Sequence, residues 1–358
     1  MRLRTSPLVE LRQLDELSPE QRAPFRDLEN DPDFHALLLP RAPLPINLKA
    51  VSRATAELLS SLREPALAPL TDDVIDLILD GIVEVETADG FASGAGAYFC
   101  AEAAAPDHRP SLSRDALLHA QDLEVTDIAS LTRAIYFFHR IPLTQFWLAR
   151  FPDEEAILAH VGARELLARH WTASHRRKGW LQWSSRTPSP RAGEDVTYKL
   201  YVSPRPERFA DAFAIAVRVL ARYEGVPFKI GDSAAGLLRP DKMVAYFATR
   251  EQLDEAASVL RRELAGCDAH GVPFTAAIDD EGLLSWGVDP PGDERALQWL
   301  GRESWRSWLA QRLGAALAIA KMSHDAPVEP WQFALARARR HGVDVETWTP
   351  SAALWSRA

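Results

Sequence analysis

Between residues 197 and 265 the apolar residues change period repeatedly, and this constrains the fold more than any other feature of the chain. VTYKLYVS alternates as a strand does, and PERFADAFAIAVRVLARY recurs at helical spacing over about five turns. PFKIG and DKMVAYFA read as strands again, and REQLDEAASVLRRELAG returns to the helical period. This β-α-β…β-α order predicts an α+β domain, placed at 191–300, with helices covering a sheet.

A chain of 358 residues is long for one domain, since single cores stop growing near ~250–300 residues, and a multi-domain α+β organisation is expected. Residues 1–45, rich in Pro, Arg and acids, read as an N-terminal extension. From 46 to 105 the pattern predicts a winged-helix-like module. LKAVSRATAELLSSLR has helical spacing, TDDVIDLILDGI opens on a Thr N-cap, and IVEVETADGFASG is strand, turn and strand. Residues 106–190 read as mainly helical, with DIASLTRAIYFFHRI and DEEAILAHVGARELLARHW as amphipathic segments. HRRKGWLQWSSRTPSPRAGED reads as a connection with a boundary near 185–195. Two helices, SWRSWLAQRLGAALAIAK and EPWQFALARARRHG, form a C-terminal tail over 301–358.

A net charge of −9 argues against nucleic acid or an anionic membrane as a general partner, because both need a basic field. The opening MRLRTSPLVELRQLDELS has no apolar signal core, and no apolar run reaches the ~18 residues of a membrane span, so a cytoplasmic protein is expected. Cys100 and Cys267 stand alone, without the spacing of a zinc site or a disulfide framework, and neither a nucleotide cradle nor any other cofactor motif is present.

The chemistry concentrates in the strand stretches. Alternation puts Lys199, Tyr201 and Ser203 on one face of TYKLYVS and Tyr198, Leu200 and Val202 on the other. If Lys229 of PFKIG and the residues of RPDKMVAYF share the lysine face, two ammonium groups, a tyrosine and Arg239 converge where a dianion would be held by charge-assisted contacts. The alternative is that each lysine snorkels from a sheet edge to water.

YKLYVS followed by PFKIGD, an arginine and a strand ending AYF resembles the phosphothreonine lyases of bacterial type III secretion and the lyase domains of class III lanthipeptide synthetases. It resembles more closely the effector-like lyases of class V lanthipeptide and thioamitide pathways, where the first strand likewise carries Tyr. The resemblance covers 195–290. It implies elimination of phosphate from phosphoserine or phosphothreonine in a ribosomal peptide, giving dehydroalanine or dehydrobutyrine. By the same resemblance Lys229 is the base that removes the α-proton, and Lys199, Arg239 and Tyr246 hold the phosphate. Tyr201 stands where the secreted lyases have a histidine acting as acid, which leaves the acid role open between Tyr201 and a packing tyrosine.

Elementary chemistry agrees with that division of labour. The second pKa of a phosphate ester is about 6, so the leaving group needs little protonation, whereas a lysine base must fall from ~10.4 toward ~7–8, which burial and neighbouring cations favour. His139 in YFFHRIP is the remote alternative acid, or a structural histidine. His175 heads HRRK, more naturally a solvated loop than a phosphate clamp. GVPFTAAIDDEGLLSWGVDPP pairs turns with Asp279, Asp280 and Asp289; it reads as a loop beside the cleft, without metal-ligand spacing. The acids of TDDVIDLILDGIVEVE would repel DNA, so the winged-helix-like module is either a scaffold or an edge that captures a leader peptide as an added strand. The expected partners are a phosphorylated precursor peptide and a separate kinase-like protein, because no kinase signature is present. A catalytically inactive phosphopeptide- or leader-peptide-binding protein is the alternative.

Overall fold

The computed structural model of the chain describes residues 1–22, 35–41, 49–98, 111–173, 178–187, 197–280, 282–289, 304–323 and 326–351. His175 and Cys100 lie outside the described residues. The chain is α+β and divides into two compact units. One comprises Met1–Arg109, Leu117–Tyr136 and Leu309–His341; the other comprises Pro110–Ala116, Phe137–Trp308 and Gly342–Ala358.

The first unit holds β1 (Arg2–Thr5), β2 (Val9–Arg12), β3 (Ala36–Pro40), β4 (Lys49–Val51), β5 (Ala66–Leu67), β6 (Val83–Thr87) and β7 (Gly90–Ala92). They form a four-stranded sheet in the order β5-β1-β6-β7 and a three-stranded sheet, β2-β3-β4. Strand β1, from the stretch that reads as an extension, is an inner strand: Leu3 faces Val85 on one side and Ala66 on the other. The helices Arg53–Ser61 and Asp72–Leu79 begin on Ser52 and Thr71, whose hydroxyls accept from Thr55 N and Val74 N. They bury Leu59, Val74 and Ile78 with Leu3, Val83 and Val85. The helical spacing that begins at 48 overruns the true start of the first helix, because Lys49–Val51 pairs with β3 instead.

The acidic helix is not a bare anionic face. Asp76 accepts from Arg337 Nη1 at 2.6 Å and Arg340 Nε at 2.8 Å, and Asp80 from Arg337 Nη2 at 2.7 Å. Burial would raise the Asp76 carboxyl, but the hydrogen bonds and charges of Arg340 and Arg337 leave it below its ordinary value. Of the carboxylates expected to repel nucleic acid, Asp72, Asp76 and Asp80 are thus matched by arginines of the helix Pro330–Arg340, and Glu84 and Glu86 by Arg4 and Arg2.

The second unit is built on an antiparallel seven-stranded sheet in the order β13-β14-β10-β12-β11-β9-β8. In chain order these are β8 (Trp171–Ala173), β9 (Trp180–Ser185), β10 (Tyr198–Val202), β11 (Phe228–Gly231), β12 (Met243–Phe247), β13 (Ala276–Ala277) and β14 (Leu284–Val288). A hairpin of β15 (Val343–Asp344) and β16 (Thr349–Pro350) follows. One sheet face presents Leu181, Trp183, Leu200, Val202, Phe228, Ile230, Met243, Ala245 and Phe247 to the helices Phe209–Leu220 and Arg250–Glu263. Burying side chains of this size contributes about 1.5–3 kcal/mol each, which fixes the register and sends the alternate residues to the opposite face.

Several elements differ from their sequence reading. WLQWSS reads as part of a connection but is β9, because Leu181 and Trp183 alternate into the core. LLSWGV reads as loop but is β14, and it pairs along the whole of β10. The helix after β10 is shorter than expected: Pro206–Arg208 forms a 3₁₀ turn before Phe209. DEEAILAHVGARELLARHW breaks into Glu154–Val161 and Arg164–His170, since Gly162 and Ala163 both take left-handed conformations. No helix among the described residues is long and apolar enough to cross a membrane.

Candidate active site

The face of the second unit's sheet away from the two covering helices carries the charged residues. Pairing sets Lys199 opposite Tyr246 and Gly287, Tyr201 opposite Val244 and Ser285, and Lys229 opposite Val244 and Gln182. Because side chains alternate, Lys199, Tyr201, Lys229, Tyr246 and Trp180 of β9 share this face. The Lys229 ammonium lies 4.0 Å from the Trp180 ring centroid and 5.6 Å from that of Tyr246, and Lys199 Nζ lies 5.7 Å from Tyr246. Arg239 puts its guanidinium 4.9 Å from Trp180. Two aromatic rings therefore separate three cations, Tyr246 standing between the lysines and Trp180 between Lys229 and Arg239, and each ring offers its negative face to positive charge.

Local sequence explains how Arg239 reaches this face. At the end of β11, Gly231 meets Gly236 so closely that a Cβ on Gly231 would lie 2.4 Å from the Gly236 carbonyl carbon. The Ser233 hydroxyl accepts from Gly236 N at 3.2 Å and starts the short helix Ala234–Leu237, which returns the chain to Arg239. The Ser203 hydroxyl donates to Pro240 O at 2.6 Å, tying this corner to the end of β10. Asp232 accepts from Gly179 N at 2.9 Å and anchors the entry to β9, and so Trp180.

Three carboxylate pairings surround the cations. Lys199 pairs with Asp289, whose Oδ1 also accepts from Trp305 N at 3.2 Å. Arg239 makes a two-pronged pair with Asp241, Nε to Oδ1 at 2.8 Å and Nη2 to Oδ2 at 2.9 Å. Arg306 brings Nη1 to 2.7 Å from Asp241 Oδ2 and donates from Nε to Pro273 O at 3.1 Å. Burial would raise the Asp241 carboxyl, but Arg306, Arg239 and Lys229 together hold it far below the usual carboxylate range, so it is an anion.

Tyr201 is buried among Val244 and Val272, and a Cβ on Gly287 would touch its ring at 3.5 Å. Burial pushes its hydroxyl well above the ordinary tyrosine value, with Asp289 and Asp241 adding to the rise against Arg306. The group is a neutral donor that gives up its proton reluctantly. His139 is placed elsewhere: it sits in a left-handed turn after the helix Ile128–Tyr136, its ring lies tilted 4.8 Å from that of His270, and its carbonyl accepts from His270 Nε2 at 2.6 Å. Burial, with Arg205 and Lys242, lowers its pKa. Asp279 accepts from Leu283 N and Leu284 N at 2.9 and 2.8 Å, which is turn chemistry. Among the described residues no group of three His, Cys, Asp or Glu is arranged to hold a metal ion.

The structure thus brings Lys199, Lys229, Arg239 and Tyr246 into one chain of contacts, with Tyr201 beneath them on the same face. Sequence reasoning misses Trp180, Asp241 and Arg306, and takes Asp289 for a turn acid. It also misses a second cluster, in which the buried Lys242 bonds Pro204 O at 2.8 Å and His270 Nδ1 at 2.7 Å. The alternation of WLQWSS could have revealed Trp180, and Asp241 lies two residues from Arg239; Arg306 has no local signal.

No protein-family model matches the sequence, and no curated protein matches it. Several solved structures are similar to the chain, two of which are effector proteins. One is the effector protein from Pseudomonas syringae pv. syringae strain 61, 13% identical with a TM-score of 0.43, covering 67% of this chain and 96% of that one. The other is the effector protein from Pseudomonas syringae pv. tomato strain DC3000, 11% identical with a TM-score of 0.38, again covering 67% and 96%. At such scores neither a fold nor an activity passes from them to this chain.

Proposed function

We propose that the second unit is a phosphoserine/phosphothreonine lyase acting on a phosphorylated peptide. The observation that carries this reading is the convergence of Lys199, Lys229 and Arg239 on one sheet face, interleaved by Trp180 and Tyr246. A purely structural sheet would have little reason to place three cations there, whereas a phosphate dianion with an adjacent α-hydrogen needs both cations and a base. In this scheme Arg239 and Lys199, with the Tyr246 hydroxyl, hold the phosphate. The Lys229 amine, in its neutral form, takes the α-proton. The Cα–H electron pair becomes the Cα–Cβ double bond, and the Cβ–O bond breaks with its electrons leaving on phosphate. Dehydroalanine or dehydrobutyrine remains in the peptide. A fully ionised ester would expel a phosphate trianion, so the departing group needs one proton, either already on the phosphate, whose second pKa is about 6, or given by a donor. Phosphate then leaves as a dianion stabilised by the cationic neighbours, with Tyr201 as a neutral hydrogen-bond donor.

We place this chemistry in lanthipeptide-type maturation of a ribosomal peptide, with the phosphate supplied by a separate kinase-like protein, and assign leader-peptide capture to the edge of β7, beside the stretch IVEVE, which is itself the inner strand β6. Support comes from the resemblance of YKLYVS, PFKIGD and AYF and from the short edge strand Gly90–Ala92, which can take an added strand. A second reading, a silent phosphopeptide binder, draws on the pairing of Lys199 with Asp289 and on the burial of Tyr201.

The test is incubation of the purified chain with peptides bearing one phosphoserine or phosphothreonine, followed by mass spectrometry. A lyase releases one phosphoric acid per residue and leaves a thiol-reactive double bond; a binder returns the peptide unchanged. Lys229→Ala is expected to slow release by about 10²–10⁴-fold, the usual contribution of a positioned base. Release at the wild-type rate would remove Lys229 from the mechanism.

A further inference from the structure

Asp241 is the unexpected member of this site: a carboxylate is the last group one would place beside a pocket for a dianion. It is buried, both its oxygens accept from Arg239, Oδ2 also faces Arg306, and Arg306 is itself buried. The two-pronged pair engages Nε and Nη2 of Arg239, which fixes the plane of the guanidinium. The Trp180 ring at 4.9 Å then covers that group. A long side chain that otherwise samples many rotamers is held in one of them, and the second guanidinium, on Arg306, keeps the cluster cationic overall.

We propose that Asp241 is a positioning residue, which aims Arg239 at the phosphate of the substrate and improves anion binding despite its own negative charge. This rests on the reading of the face as a phosphate-ester site, and it yields a sign that simple electrostatics does not. By charge alone, Asp241→Asn removes an anion beside the site and tightens phosphate. By positioning, the same change releases Arg239 and weakens it.

The experiment is isothermal titration of the full chain with inorganic phosphate, for the wild type, Asp241→Asn, Arg239→Gln, Arg239→Lys and the double variant Asp241→Asn/Arg239→Gln, with elimination from a phosphothreonine peptide followed in parallel. Asp241→Asn is expected to weaken phosphate about tenfold or more, the scale of one charge-assisted contact, and to add nothing once Arg239 is Gln. Arg239→Lys keeps the charge but cannot form the fork, and is expected to lose nearly as much as Arg239→Gln. Phosphate binding by Asp241→Asn equal to or tighter than wild type overturns the proposal, as does a wild-type isotherm for Arg239→Lys. If Asp241→Asn fails to fold, Arg239→Lys decides alone. A wild type that binds phosphate but never eliminates it sinks the lyase reading and leaves the role of Asp241 standing; a wild type that binds no phosphate sinks both.

Discussion

The two faces of the seven-stranded sheet are made by the same strands, residue by residue in alternation, yet they obey different rules. On one, Leu200, Phe228, Ile230 and Ala245 pack against helices and are buried, and every residue serves cohesion. On the other, the ammonium groups of Lys229 and the buried Lys199 lie within reach of the Tyr246 ring, and Lys229 also faces Trp180. Phe228 and Lys229 are neighbours in the chain and sit on opposite sides of this division. The difference teaches that the apolar face supplies the stability that lets the other face concentrate cations, an arrangement that does not favour folding by itself.

The comparison can be broken most forcefully at Phe228. Its ring meets Trp171 edge-on at 5.2 Å, stacks on Trp183 at 5.0 Å and touches Phe213 at 6.0 Å. Phe228→Ala is expected to lower stability by about 3–5 kcal/mol, read from the urea midpoint, because a buried aromatic leaves a cavity its neighbours fill only in part. Lys229→Ala, one residue on, is expected to change stability by no more than about 0.5 kcal/mol while slowing elimination by about 10²–10⁴-fold. Equal losses of stability in both variants would show that the faces are not specialised.

A smaller effect concerns Lys242, which immediately precedes β12 and is fully buried. Burial pushes its amine down to about 7, with Asp241 opposing and Arg205 adding to the fall. A neutral amine has two N–H donors, and Pro204 O and His270 Nδ1 accept both. In the unfolded chain the same lysine keeps its proton up to ~10.4. Between about pH 7 and 10 the unfolded state therefore binds more protons, and stability rises with pH by at most about 1.4 kcal/mol per unit. Denaturant melts across this range are expected to show that slope in the wild type and a flatter one in Lys242→Met. Identical slopes would mean that Lys242 stays charged in the fold.

Much of this division is legible in the amino-acid sequence. The period-two pattern of TYKLYVS puts Lys199 and Tyr201 on one face, and the helical pattern of FADAFAIAVRVL identifies what covers the other. Whether Lys229 and Tyr246 join Lys199 is not legible, because it depends on register between strands, which cross-strand packing sets and local sequence does not. Trp180 is hidden by its setting: Gly179 precedes it and Ser and Pro follow, so turn chemistry masks a strand. The pairing of Asp241 with Arg306 joins distant segments, and no spacing rule reaches that far. Asp76 and Asp80 of the first unit look bare in the sequence and are not, because Arg337 and Arg340 arrive from the other end of the chain.

Tyr201 lies on the charged face but is packed like the apolar one. Its exposure is 3%, and its neighbours are Val244, Val272 and the backbone at Gly287. With its hydroxyl pushed well above the ordinary tyrosine value, Tyr201 gives up its proton reluctantly, and a substrate bound with one proton already on its phosphate needs none from it; packing and one neutral hydrogen bond are then its expected contribution. Tyr201→Phe keeps the ring and removes only the hydroxyl. It is expected to reduce elimination by less than about tenfold, under about 1.4 kcal/mol, and to leave the pH-rate profile in place. A loss of about 10²–10⁴-fold, the scale of a general acid, together with loss of the alkaline limb of that profile, would instead make Tyr201 the proton donor and move the boundary between the two faces one residue deeper into the sheet.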